Sequence, residues 1–137
     1  MILVILRRFY DTKDAGVIKL TFCLHRLPTL SREQFQKYWF DNHAPLVRKN
    51  SGVLRIRRYV QMHSLTDAFN DAIRASREAP EMYDGVAELW WDSLDDLGGP
   101  QTPERLAAGQ ELLEDERKFI DLGRSPLFLG EEKTIVG

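Results

Sequence analysis

The chain has 137 residues, 43% hydrophobic and 29% charged, enough for one globular domain with one sizeable core and too few for a second. Nineteen basic and 21 acidic side chains leave a formal charge of −2, and no basic block extends beyond Arg55, Arg57 and Arg58, which excludes a nucleic-acid footprint. Cys23 is the single cysteine, so an intrachain disulfide and a cysteine-rich metal site are excluded, and a reducing, cytoplasmic setting is expected.

The apolar run Ile2–Leu6 is short, and Arg7 and Arg8 follow rather than precede it, a pattern of neither a signal peptide nor a membrane span. Residues 1–16 are expected to form an N-terminal arm, an edge strand or a swapped segment ahead of a domain over residues 17–137. From Val17 to Leu27, Ile18, Leu20, Phe22 and Leu24 alternate with Lys19, Thr21, Cys23 and His25, which predicts a first strand with unlike faces. Ser31 and Gln34 make a capping box that opens a helix, with Phe35, Tyr38, Trp39, Leu46 and Val47 as its core stripe. Pro45 is expected to bend or break that helix beside His43.

A second strand is predicted over Leu54 to His63, with Leu54, Ile56, Val60 and Met62 on one face and Tyr59, Gln61 and His63 on the other. The long connection that follows carries its own helical stripe, Leu65, Phe69, Ala72 and Ile73, and reads as a mobile lid or as cover for a sheet edge. Asp84-Gly85 opens a third strand over Val86 to Trp91, and Thr102-Pro103 starts a long helix to about Leu122, closed by Gly123. The fourth strand is expected from Leu127 to Val136. Strand, helix, strand, strand, helix, strand is the ferredoxin-like βαββαβ order of an α+β protein with a four-stranded antiparallel sheet. Two helices cover one face of such a sheet, so the other is expected to pack on a second protomer in a homodimer.

Helical phase extends the first helix's stripe to Asn42 and His43, and on the last helix it places Glu116 near the centre of an apolar arc shared with Gly109. An inward carboxylate and an inward imidazole suit general acid and base chemistry; ion pairing of Glu116 to Arg57 or Arg58 is the plainer alternative. Tyr59 and His63 share a strand face and could bond a substrate oxygen, while Trp39, Trp90, Phe119, Asn42 and His25 are candidate ligand contacts. His25, His43 and His63 have uneven spacing, and no metal is assigned.

The stretch Leu30–Trp39, running into Asn42-His43-Ala44-Pro45-Leu46-Val47, resembles the opening of EthD-domain proteins, where a helix ending in His-Ala-Pro-Leu-Val is the clearest mark. Tyr83–Trp90 and Asp115–Asp121 look like that family's other recurrent segments. The resemblance implies a dimeric α+β barrel and, through dehydratase-like relatives, a cofactor-free lyase or cyclase acting on a small, mainly apolar carbonyl or aromatic compound. In that reading His43 is the general base or acid, Glu116 its orienting or proton-sharing partner, and Tyr59 and His63 supply hydrogen bonds to the substrate oxygen. A non-catalytic protein that binds a small apolar ligand is the alternative, and a cofactor-free monooxygenase a third. No membrane and no nucleic-acid partner is expected.

Overall fold

The structure is a computed structural model that describes residues 17–137; the expected arm, residues 1–16, lies outside the described residues. Strands β1 (Ile18–Leu24), β2 (Arg58–His63), β3 (Gly85–Trp91) and β4 (Leu127–Gly130) form one antiparallel sheet in the order β2-β3-β1-β4. Helices α1 (Arg32–Tyr38) and α2 (Ala44–Asn50) lie between β1 and β2, and α5 (Pro103–Glu116) precedes β4. This is the ferredoxin-like α+β arrangement. Two short helices complete it, α3 (Ala68–Ser76) in the β2–β3 connection and α4 (Leu94–Gly98) after β3.

Register sorts the side chains. Leu20, Leu89 and Tyr59 stand abreast, as do Phe22, Ala87 and Gln61, and then Leu24, Gly85 and His63, all on the side covered by helices. The core gathers there around Phe22, Leu24, Phe35, Trp39, Ala87, Phe119 and Ile120. On the other face Lys19 and Arg58 flank Trp90, with ring-centre distances of 4.9 and 4.7 Å, and the Trp90 indole N–H donates to Glu132. Met62 and Phe128 stay exposed on that face.

The capping box appears as read: Ser31 Oγ accepts from the Gln34 N–H and Gln34 Oε1 from the Ser31 N–H. Pro45 does not break the helix. Instead Trp39–His43 form one π turn, closed by the Ala44 N–H on the Trp39 carbonyl. Phe35, Trp39, His43 and Val47, all buried, recur at steps of four. An ideal α-helix drifts by about 40° at each such step, and the wider turn takes up part of that drift. The same change of phase leaves Asn42 exposed.

Three sequence expectations need correction. The second strand begins only at Arg58: Arg55 adopts a left-handed φ of 55°, which shifts the phase, so Leu54 and Ile56 share the helix side with Tyr59 rather than with Val60 and Met62. The last helix stops at Glu116, where the Lys118 and Phe119 N–H groups bond the carbonyls only three residues back, of Asp115 and Glu116, and the tightened chain turns to bring Phe119 and Ile120 into the core. β4 ends at Gly130, after which the charged Glu131-Glu132-Lys133 leaves the sheet.

Asp84 locks β1, α1 and β3 together. Its carboxylate, 2% exposed, accepts from the Arg26 N–H at 2.8 Å, Arg26 Nη1 at 2.5 Å and Arg32 Nε at 2.9 Å. Its own N–H donates to the Leu24 carbonyl, and Gln36 Nε2 donates to its carbonyl at 3.0 Å. The next residue must be glycine for steric reasons: a Cβ at position 85 would stand 2.5 Å from the Trp39 ring and 2.8 Å from the Met62 carbonyl oxygen. Trp39 can therefore pack directly against the start of β3.

Candidate active site

A cavity of about 970 Å³ lies between the helix-covered face of the sheet and α5. Its floor is apolar, with Leu20, Phe22, Ala87, Leu89, Leu127 and Leu129 contributed by three strands. Trp39 and His43 enter from the π turn, Tyr59 from β2 and Glu116 from the end of α5. Gly109 leaves room midway along the helix, since a Cβ there would meet nothing within 4 Å. The α2–α5 contact is tied by Asn50 Nδ2 to Glu111 Oε1 at 2.8 Å and by Lys49 Nζ to the same carboxylate at 3.1 Å.

His43 is 5% exposed, and its Nδ1 lies 2.8 Å from Asp115 Oδ2. The other Asp115 oxygen accepts from the Tyr38 hydroxyl at 2.6 Å, with Lys118 Nζ 3.6 Å away. Burial alone would raise the Asp115 carboxyl, but the hydrogen bonds from Tyr38 and His43, and the nearby positive charge, hold it below the ordinary carboxylate range. Burial lowers the His43 imidazole despite the opposing pull of Asp115, so the ring is neutral at pH 7. An ionised Asp115 requires the proton at Nδ1, which assigns the lone pair to Nε2. Tyr38 is raised to about 12 by burial and by its bond to Asp115, and remains a donor throughout.

Glu116 is the cavity's own carboxyl. Its apolar surroundings, with the Asp115 charge adding to them and Arg117 opposing, push it up to about 7. Tyr59, raised to about 12 by burial, accepts from Gln61 Nε2 at 2.9 Å; Gln61 also donates to the Trp39 carbonyl at 3.0 Å. The cavity thus holds a neutral imidazole fixed from behind and a carboxyl that changes charge near neutrality.

His43, Glu116, Tyr59 and Trp39 meet in one cavity wall. The hydrogen-bond partner of His43, however, is Asp115 and not Glu116, and Glu116 pairs with neither candidate arginine: Arg57 meets Asp92 at 3.3 Å and Arg58 covers Trp90. The other candidates fall outside the wall. His63 stacks on Trp39 with ring centres 4.7 Å apart and bonds Gln61 Oε1 at 2.8 Å, so it braces the indole without lining the cavity. Phe119 is fully buried against the His43 ring at 5.1 Å, and His25 packs on Tyr83 at 4.7 Å. Trp90 points to the opposite face of the sheet, because strand alternation gives the cavity Leu89 and Trp91 instead; Asn42 is exposed. No residue of the β2–β3 connection lines the cavity, and Phe69 and Ile73 of α3 point outward, so α3 is not its lid.

Asp115 is not among the sequence candidates. Arg105, Ala108, Leu112, Asp115 and Phe119 recur at alternating steps of three and four, a second inward stripe in which an acid next to Glu116 was visible. Among the described residues, no three His, Cys, Asp or Glu side chains converge to hold a metal ion. Nor is any helix among them long and apolar enough to cross a membrane.

Glu116→Gln isolates the energetics of this site. A folded carboxyl raised above its unfolded value favours the protonated form, so its contribution is complete below the unfolded pKa and is lost as pH rises through about 7. Stability of the wild-type chain is expected to fall between pH 5 and 8 by about 1–3 kcal/mol more than that of the Gln variant, a scale discounted for the carboxyl's access to the cavity. Urea denaturation at the two pH values measures this, and parallel losses would place the carboxyl in ordinary solvent.

No curated protein matches the sequence. Solved structures do share the fold. An EthD-family protein from Bacillus halodurans superposes with a TM-score of 0.56 at 23% identity, over 85% of this chain and 99% of that one. An EthD-like protein from Ralstonia eutropha gives 0.55 at 17% identity, over 85% and 92%. A protein from Bacteroides fragilis described as dimeric, with a ferredoxin-like fold, gives 0.54 at 13% identity, over 85% and 97%. At the level of sequence, residues 27–123 match the EthD domain, a span that takes in the π-turn helix, the buried Asp84 lock and the His43, Asp115 and Glu116 cluster, and the chain belongs to the EthD-domain family.

Proposed function

We propose that the chain is a cofactor-free lyase or cyclase-type enzyme that removes a proton beside a carbonyl in a small, mainly apolar substrate. The observation that carries this reading is the His43–Asp115 contact of 2.8 Å at the wall of a cavity that also holds Glu116. His43 Nε2 takes the α-proton. Glu116, protonated, donates a hydrogen bond to the carbonyl oxygen as it gains enolate charge, and Asp115 steadies the imidazolium that forms. If the β-carbon bears a hydroxyl, the enolate collapses, the C–O bond breaks, and the leaving oxygen takes the proton back from His43 as water. An enolate attacking a second carbonyl of the same molecule would close a ring by the same proton traffic. Trp39 and Tyr59 shape the pocket around the reacting carbon, and His63 braces Trp39.

The test is deuterium uptake at the methyl group of 2-acetylnaphthalene in D2O, followed by proton NMR. Because the base must be neutral and the acid protonated, the rate is expected to rise as His43 loses its proton below its ordinary 6.5 and to fall as Glu116 ionises near 7, giving a narrow bell. Tight binding of the ketone without exchange would favour a binding protein that shelters an apolar compound. A rate independent of pH across this range would remove Glu116 as the acid.

A homodimer joined through the open sheet face is part of the proposal. Exposed Met62 and Phe128 beside half-buried Val60 and Val86 make that face an apolar strip, and the Bacteroides fragilis neighbour is described as dimeric. Sedimentation at micromolar concentration is expected to give twice the monomer mass of 15.9 kDa, and Met62→Lys is expected to shift it toward the monomer. A wild-type monomer would contradict this assembly.

A further inference from the structure

We infer that Gly109 is a specificity-determining residue of the cavity: it keeps a path open along α5 for an apolar tail, so that the ligand is a carbonyl compound with a long, uncharged hydrocarbon body. This rests on the cavity being a ligand site, as proposed above, and adds the class of ligand and the residue that selects it. Gly109 lies in the interior of α5, where glycine weakens a helix relative to alanine through the backbone freedom it loses on folding. The usual reasons for keeping one do not apply. Its φ is not in the left-handed region, and among the described residues no neighbour presses on it, since a Cβ there would meet nothing within 4 Å. Gly85 is the opposite case, because there the place of the side chain is taken by the Trp39 ring.

The space left by the missing side chain belongs to the cavity. Gly109 precedes Glu116 by seven residues, which is about 20° short of two full turns, so the two lie on one stripe of α5 with Leu113 between them. All three line the cavity, together with Leu20, Leu89 and Leu129, which stand abreast on the sheet. The lining continues past Gly109 to Leu54, Trp91 and Leu97. Hydrogen bonds from Trp91 Nε1 to the Leu54 carbonyl at 2.8 Å and from Arg105 Nη2 to the Leu97 carbonyl at 3.1 Å gather these at the start of α5. Gly109 therefore stands midway between the proton-transfer end and an apolar far end.

That position gives the ligand its length. From Glu116 to Gly109 the helix rises about 10.5 Å. An extended chain advances about 1.2 Å per bond, so a tail of about nine bonds from a carbonyl carbon held at Glu116 reaches Gly109. The leucines along the way offer no hydrogen bond and no charge, and each methylene buried against them adds to affinity. A cavity of about 970 Å³ is of the size that holds drug-sized ligands, well beyond what a short ketone fills. A leucine at position 109 would project its side chain into this path and leave the His43 and Glu116 end two turns away.

Two methyl ketones that differ only in tail length test this, 2-hexanone and 2-undecanone, at concentrations where both stay dissolved. Deuterium uptake at the methyl group reads kcat/KM, and titration against the emission of Trp39 and Trp91 in the cavity wall reads affinity. The wild-type chain is expected to favour 2-undecanone at least 20-fold in affinity. Gly109→Leu should lower that ratio at least 10-fold and Gly109→Ala about 2-fold, while both raise the melting temperature, as replacing a helical glycine does. The amount of folded chain cancels from a ratio, so a loss of stability cannot imitate the result. A wild-type chain without length preference, a preference that survives Gly109→Leu, or no binding of either ketone would each overturn the inference. The wild-type comparison and Gly109→Ala decide even if Gly109→Leu does not fold. Length preference in binding without deuterium uptake would uphold the tail path while the catalytic reading fell, and uptake without length preference would do the reverse.

Discussion

His43→Asn is expected to slow deuterium uptake by 2-acetylnaphthalene roughly 100-fold or more, the usual weight of a positioned general base, while the chain stays folded. Asparagine fills a similar volume and can still meet Asp115, but it has no nitrogen lone pair that takes a proton near neutral pH. Asp115→Asn is expected to cost about as much by a different route. Its amide can donate to His43 Nδ1, which places the ring proton on Nε2 and removes the base, and it also weakens the bond from Tyr38, now 2.6 Å long. Because the two residues act as one unit, the double variant should be little slower than either single one. Additive losses in the double variant, or an Asp115→Asn chain with full activity, would show that the pair is structural.

The largest expected effect on stability is at Asp84. Asp84→Ala removes the acceptor for Arg26 and Arg32 and for the Arg26 backbone N–H in one step, and should destabilise the fold by about 3–5 kcal/mol, as when one partner of a buried ion pair is deleted. Burial by itself would raise this carboxyl, yet the bonds from the two arginines hold it below its ordinary value. A depressed folded pKa means that the contribution is present above the unfolded value of about 3.8 and is lost as pH falls through and below it. Chemical denaturation of Asp84→Ala near neutral pH and at pH 3 should therefore show a gap from wild type that narrows in acid. A gap under 1 kcal/mol at neutral pH would mean that the β1–α1–β3 junction is held by packing alone.

The element order was legible because its signals are local. Ser31 with Gln34, Thr102 with Pro103, and the alternation of Ile18 to Leu24 depend on neighbours in sequence, and each element forms where they stand. His43 and Glu116 were legible for the same reason, as polar residues that helical phase turns inward. What joins His43 to Asp115 was not, since that contact crosses 72 positions and depends on a π turn that period counting on an α-helix does not supply. Trp90 was misplaced although the strand alternation was available: Trp90 and Trp91 face opposite sides of β3, and the open face retains an indole because Lys19 and Arg58 cover it. Phe119, a candidate ligand contact on a helix expected to run to about Leu122, lies beyond the early end of α5 and is buried against Phe35, Tyr38 and His43.

The protonation state of His43 tests the central claim most directly, and with three histidines in the chain its ring nitrogens can be assigned by long-range 1H–15N NMR. The account predicts a neutral ring at pH 7 with its proton on Nδ1, titrating below 6.5, and a change in the Nε2 shift when 2-acetylnaphthalene is added. A ring protonated on Nε2, a doubly protonated ring at pH 7, or an Nε2 signal indifferent to saturating ketone would contradict it.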